Sequence, residues 1–163
     1  MKKKVEKVTK KYVRREDAHC TRYADYLRVN NLPFMRIACE IPTNRMSVIY
    51  RMKREGFRAG YADYMVYKPY YENGVIKFPG LFVEMKHEGG SMPTMNGSNP
   101  QHMVLLSYAR NGYITYVTRG ADIAILVTEM YLGGEYKSLY SDDIPRNGRK
   151  KVLARCYNTL EEN

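Results

Sequence analysis

Gly80-Leu81-Phe82-Val83-Glu84-Met85-Lys86 is a short, largely apolar run between Pro79-Gly80 and Gly89-Gly90. That pattern predicts a central β-strand. Side chains alternate along a strand, so Phe82, Glu84 and Lys86 share one face while Leu81, Val83 and Met85 share the other. A carboxylate and an ammonium on a strand otherwise fit for burial are costly unless they are paired or bound to a cation. The plainer alternative is an edge strand whose Glu84 and Lys86 face water.

The residues before this strand supply a second carboxylate. Gly60-Tyr61-Ala62-Asp63-Tyr64-Met65-Val66-Tyr67 alternates as a strand with Asp63 near its start. Asn73-Gly74 is a strong signal for a two-residue hairpin turn. It is expected to lead through Val75–Phe78 into the Glu84 strand, which sets Asp63 and Glu84 on neighbouring antiparallel strands. Downstream, 89–99 is rich in Gly, Ser, Asn and Pro and reads as a loop. Asn99-Pro100 reads as an N-cap followed by Pro at the first helical position, and Asn111-Gly112 as the stop. Gln101 falls in the first turn, where free backbone N–H groups favour an anion. Ile114–Thr118 reads as a strand and Ala121–Leu132 as an apolar helix ended by Gly133-Gly134.

Upstream, 15–29 has a helical stripe of Ala18, Tyr23, Tyr26 and Leu27, stopped by Asn30-Asn31 and Pro33. Glu16 sits in its first turn, where a carboxylate suits the helix dipole. Phe34–Ile41 reads as a strand, and 44–55 as a short basic helix ending at Gly56. The element order describes an α/β sandwich with a mixed sheet. We divide the chain into a basic arm at 1–13, a domain at 14–135 and a basic extension at 136–163.

At 163 residues the chain can bury a core without staples. Its 27 Lys and Arg exceed its 17 Asp and Glu, for a net charge of +10, which points first to a polyanionic partner such as nucleic acid. The first fifteen residues alone hold eight Lys and Arg against Glu6. The three cysteines are odd in number and widely spaced, so neither a disulfide framework nor a zinc site is expected. No apolar segment follows Met1-Lys2-Lys3-Lys4, and no run is long enough to span a bilayer. The expected setting is a cytosol-like compartment, the cytoplasm or nucleoid, with no membrane partner. No P-loop and no GxGxxG is present.

Glu16, Asp63, Glu84, Lys86 and Gln101 are the candidate site. Two carboxylates from adjacent strands suit a hard divalent cation such as Mg²⁺ or Mn²⁺, and a neighbouring Lys can neutralise an oxyanion. Asp63, an interval, then Glu84-Met85-Lys86 resembles the acid…(Asp/Glu)-X-Lys signature of the PD-(D/E)XK nuclease superfamily. The ordered set Gly60-x-x-Asp63, Glu84-x-Lys86, Gln101 opening a helix, Gly112-Tyr113 and Val117-x-Arg119-Gly120 is similar to its VRR-NUC (virus-type replication-repair nuclease) branch.

The resemblance spans roughly 14–130. It implies a restriction-endonuclease-like core in the order αβββαβ. It also implies a DNA endonuclease, using Mg²⁺ or Mn²⁺, that acts in repair on branched or four-way DNA as a homodimer. Asp63, Glu84 and the Met85 backbone carbonyl would bind metal, with Glu16 joining directly or through water. Lys86 would assist the attacking water and Gln101 would position the site. Ala62 stands where many members have Pro. The competing expectation is a non-catalytic basic nucleic-acid-binding module.

Overall fold

The structure, a computed structural model, describes residues 18–37, 46–56, 60–142 and 150–158. The basic arm at 1–13 and Glu16 lie outside them. A helix, α1, occupies 18–29, and buries Cys20, Tyr23, Ala24 and Leu27, the spacing of one helical face. It stops where Asn31 takes φ +52. Strand β1 (Phe34–Arg36) is followed by helix α2 (Met46–Arg54), strand β2 (Tyr64–Val66), and the pair β3 (Tyr70–Glu72) and β4 (Val75–Phe78). Then come β5 (Leu81–Lys86), helix α3 (Pro100–Arg110), β6 (Ile114–Arg119), helix α4 (Gly120–Leu132), β7 (Leu139–Tyr140) and β8 (Val152–Tyr157). No described helix is long and apolar enough to cross a membrane.

Six strands form one mixed sheet in the order β1-β2-β5-β6-β8-β7. Among the described strands β5 and β6 pair in parallel and every other pairing is antiparallel. A parallel pair needs a crossover, and α3 is that crossover. Both faces of β5 are therefore covered. Leu81, Val83 and Met85 enter the larger core with Tyr23 and Leu27 of α1 and Ala124 and Val127 of α4. Phe82 enters a second core with Leu105 and Ala109 of α3. Glu84 is 4 % exposed, so the alternative of a water-facing edge strand does not hold. Burial on both faces also explains why β5 reads as a continuous apolar run.

Buried hydroxyls fix the layers to one another. Tyr23 and Thr128 share a hydrogen bond of 2.8 Å between α1 and α4. The Tyr64 hydroxyl donates to the Cys20 carbonyl at 2.9 Å, tying β2 to α1.

Two expectations are corrected. The hairpin at Asn73-Gly74 forms, with φ of +53 and +78, the left-handed pair that a primed turn requires. It joins β3 to β4 in a separate two-stranded sheet, and β2 instead pairs directly with β5. Pro69 and Pro79 stand at the junctions, and a residue without an N–H cannot extend a ladder. Second, the stretch read as a basic extension supplies β7 and β8 to the main sheet, where β8 lies against β6. Ala154 and Tyr157 carry its burial.

Candidate active site

β5 puts Glu84 on the α3 side of the sheet, with Phe82 before it and Lys86 after it. The Lys86 ammonium donates to Glu84 Oε1 at 2.6 Å. The Lys86 side chain is 22 % exposed and that of Glu84 6 %, so the pair sits at the rim of a buried site. The Gln101 amide donates to the same oxygen at 2.7 Å.

The second carboxylate comes from the run into β2. The register of β2 on β5 is Tyr64↔Val83, Met65↔Phe82, Val66↔Leu81. One step further the chain opposes Asp63 to Glu84, and there the Asp63 side chain meets the ladder itself. Its Oδ2 accepts the Met85 N–H at 2.7 Å, while its backbone carbonyl accepts from Ile37 N–H on the far side. Side-chain alternation places Asp63 on the face of Met65, Phe82 and Glu84. Burial, and after it the negative charge of Asp63, push the Glu84 carboxyl up to about 7 against the opposing pull of Lys86 and Gln101.

Gln101 reaches Glu84 because the start of α3 is fixed. The Asn99 side chain caps the helix by accepting the His102 N–H at 3.0 Å, and Pro100 fills the first helical position. The Asp63 segment passes close by. Gly60 has φ +93, and a Cβ there would lie 3.0 Å from Gln101 Cα and 3.1 Å from its nitrogen. Both neighbours are backbone, so Gly60→Ala has to displace either the run to Asp63 or the first turn of α3. The left-handed conformation adds roughly 1–2 kcal/mol and the overpacking about 1–3 kcal/mol. We expect Gly60→Ala to lower the urea midpoint accordingly and to weaken any function that needs Gln101 beside Glu84. A midpoint unchanged from the parent excludes the close approach.

The loop from His87 to Asn99 connects Lys86 to Gln101, and two strand arginines grip it. Arg119, at the end of β6, donates to the carbonyls of Val152 at 2.8 Å and Glu88 at 3.3 Å and also to that of Gly90. Arg155 of β8 donates to the Pro93 carbonyl at 2.5 Å. His102, one residue past Gln101, shares a buried hydrogen bond of 3.2 Å with the Tyr157 hydroxyl. These groups are supports that sequence reading missed. A strand arginine carries no mark of which distant carbonyl it will reach, and β8 was read as charge alone.

The structure thus gathers Asp63, Glu84, Lys86 and Gln101 on one side of the sheet. Glu16 lies outside the described residues. Among the described residues no group of three or more His, Cys, Asp or Glu is arranged to hold a metal. The oxygen donors brought near one another are the carboxylates of Asp63 and Glu84, a pair whose like charges a divalent cation would offset. All-oxygen donors fit Mg²⁺ or Mn²⁺, which keep several waters when few protein ligands are offered.

Comparisons with known proteins agree with this architecture. No protein-family model and no curated protein matches the sequence. A solved structure described as a VRR_NUC domain protein is similar, with a TM-score of 0.56 and 21% identity over 74% of this chain and 90% of that one. At that identity the likeness speaks for the fold. The mixed sheet flanked by helices is therefore the fold that this VRR_NUC domain protein also has, consistent with a restriction-endonuclease-like core.

Proposed function

We propose that this chain is a nuclease that hydrolyses DNA phosphodiester bonds with Mg²⁺ or Mn²⁺. The observation that carries the reading is the convergence on Glu84 Oε1 of Lys86 at 2.6 Å and Gln101 at 2.7 Å, with Asp63 adding a like charge. An ammonium and an amide on one buried carboxylate oxygen fix its rotamer before any ligand arrives. Asp63 is fixed likewise by the Met85 N–H.

Asp63, Glu84 and the Met85 carbonyl would hold the cation. Once bound, it would acidify a coordinated water and offset charge on the scissile phosphate. Lys86, at the partly exposed rim, can turn from Glu84 to orient that water or to neutralise a phosphate oxygen. Gln101 keeps Glu84 in place while Lys86 does so. The surplus of Lys and Arg supplies attraction for the DNA backbone. The finer part of the proposal, action on branched or four-way DNA by a homodimer, rests on the VRR-NUC resemblance.

Cleavage of labelled linear, flap and four-way DNA with Mg²⁺, Mn²⁺ or chelator tests the activity and ranks the shapes. Sizing the protein in solution tests the dimer. Metal binding has its own readout. At a hundredfold excess over Kd, either ion is expected to stabilise the protein by about 2.7 kcal/mol, roughly 5–10 °C in Tm for a domain of this size. Asp63→Asn is expected to abolish that shift. DNA binding without turnover, in a protein whose Tm ignores both ions, would establish the binding module instead.

A further inference from the structure

Helix α2 plays no part in the chemistry above. It is inserted between edge strand β1 and the run that carries Asp63, and its sequence is Met46-Ser47-Val48-Ile49-Tyr50-Arg51-Met52-Lys53-Arg54. None of these nine residues is buried. Exposure still follows the helical period. Val48, Ile49 and Met52 are half-covered, whereas Ser47, Tyr50, Arg51 and Arg54, at the i, i+3, i+4, i+7 spacing, are exposed. Tyr50 is 63 % exposed. An isolated helix of this length is marginal in water and depends on packing for its stability. Here the covered face is thin, and the outer face bears mostly polar and basic groups, with Met46 its one exposed aliphatic side chain.

The charge on that face has one sign. Arg51, Lys53 and Arg54 fill the last turn, and the first turn has no acid. Glu55 lies 3.7 Å from Arg51, but both side chains are 64 % exposed, and an exposed pair of that kind is weak and exchangeable. Cations in the last turn do complement the helix dipole. That accounts for their sign but not for the hydroxyls of Ser47 and Tyr50 beside them. Arginine, serine and tyrosine together are the side chains that contact nucleic-acid phosphates.

We propose that the exposed stripe of α2, Ser47, Tyr50, Arg51 and Arg54 with Lys53 alongside, is a docking face for the phosphate backbone of duplex DNA. The proposal rests on the nuclease reading and adds a substrate-holding element to it. Nine positions separate Arg54 from Asp63, so the chain limits their separation to about 30 Å. That reach is comparable to one turn of duplex, roughly 34 Å. The linking chain is therefore short enough to allow one duplex to meet both α2 and the carboxylate pair.

The test is the salt dependence of binding, measured by anisotropy of a labelled duplex from 50 to 200 mM KCl with chelator present. Intact protein is compared with Arg51→Gln/Lys53→Gln/Arg54→Gln, whose glutamines favour helix as arginine and lysine do. The triple variant is expected to keep the parental Tm, to lose about 2–3 from the slope of log affinity against log salt, and to bind about tenfold or more weakly at the upper salt. A control, Lys68→Gln/Arg110→Gln/Lys137→Gln, removes equal charge from outside α2 and is expected to move the slope less.

An α2 variant with the parental slope overturns the proposal, as does a control that loses as much. A triple variant that changes the oligomeric state and leaves DNA binding alone assigns the face to a second copy and also overturns it. Failure of the intact protein to bind any duplex also overturns it, and the cleavage assay on linear, flap and four-way DNA with Mg²⁺ or Mn²⁺ then decides the nuclease reading separately.

Discussion

Glu84→Gln is expected to leave the chain folded and to reduce divalent-dependent cleavage by at least about a hundredfold, the scale seen when one charge-stabilising group is removed from an active site. The replacement is nearly isosteric. Its Oε1 can still accept from Lys86 and Gln101, as Glu84 does at 2.6 and 2.7 Å. What disappears is the negative charge, and with it the attraction for a cation. Burial and Asp63 already hold the Glu84 carboxyl up at about 7, so the fold disfavours its ionised form near neutral pH. Removing the charge relieves that penalty, and Tm is expected to hold or rise. Loss of activity beside retained or increased stability separates a chemical role from a structural one. Cleavage at the parental rate would remove Glu84 from the mechanism. Glu84→Gln is a cleaner probe than Lys86→Ala, which would leave a buried carboxylate without its ammonium.

Phe82→Ala carries the largest expected change in stability. Phe82 is 6 % exposed, its ring lies 3.9 Å from that of Tyr108 at an interplanar angle of 7°, and its edge contacts Tyr113 at 5.1 Å. Tyr61, two residues before Asp63, also stacks on Tyr108, with ring centroids 6.5 Å apart and an interplanar angle of 22°. One aromatic column thus joins β5, α3 and the Asp63 segment, so deleting Phe82 opens a cavity beneath the site. Such truncations destabilise by about 3–5 kcal/mol, roughly 6–20 °C in Tm at this size. Phe82→Leu keeps most of the volume and is expected to recover much of the loss. A Phe82→Ala protein destabilised by less than about 1 kcal/mol would mean that the site collapses without penalty. In that case the column is not what holds α3 against the sheet.

Local signals made much of this legible in advance. The spacing of Glu84 and Lys86 fixes their common face once the strand is accepted. Asn99-Pro100 and Asn111-Gly112 mark both ends of α3 because capping chemistry is encoded within a few residues. Asn73-Gly74 fixes its turn for the same reason. Pairings across long separations are less accessible. Val152-Leu153-Ala154-Arg155-Cys156-Tyr157 has no clean alternation and is preceded by Lys150-Lys151, so charge masked the strand that covers β6. The hairpin turn was readable, but its partner strands were not, because prolines at 69 and 79 divide one apparent meander into two sheets. The supports of the site were hidden for a related reason. Nothing near Arg119 or Arg155 in sequence indicates Gly90 or Pro93, and nothing near His102 indicates Tyr157.

The way the two arginines hold the 87–99 loop bears on how such a protein can diverge. Arg119 and Arg155 grip carbonyl oxygens, at Glu88, Gly90 and Pro93, and every amino acid has one. The path of the loop is therefore set by groups that substitution leaves in place. Exposed residues such as Ser91 and Met95 are free to drift under selection for new ligands, while Lys86 and Gln101 stay anchored at either end.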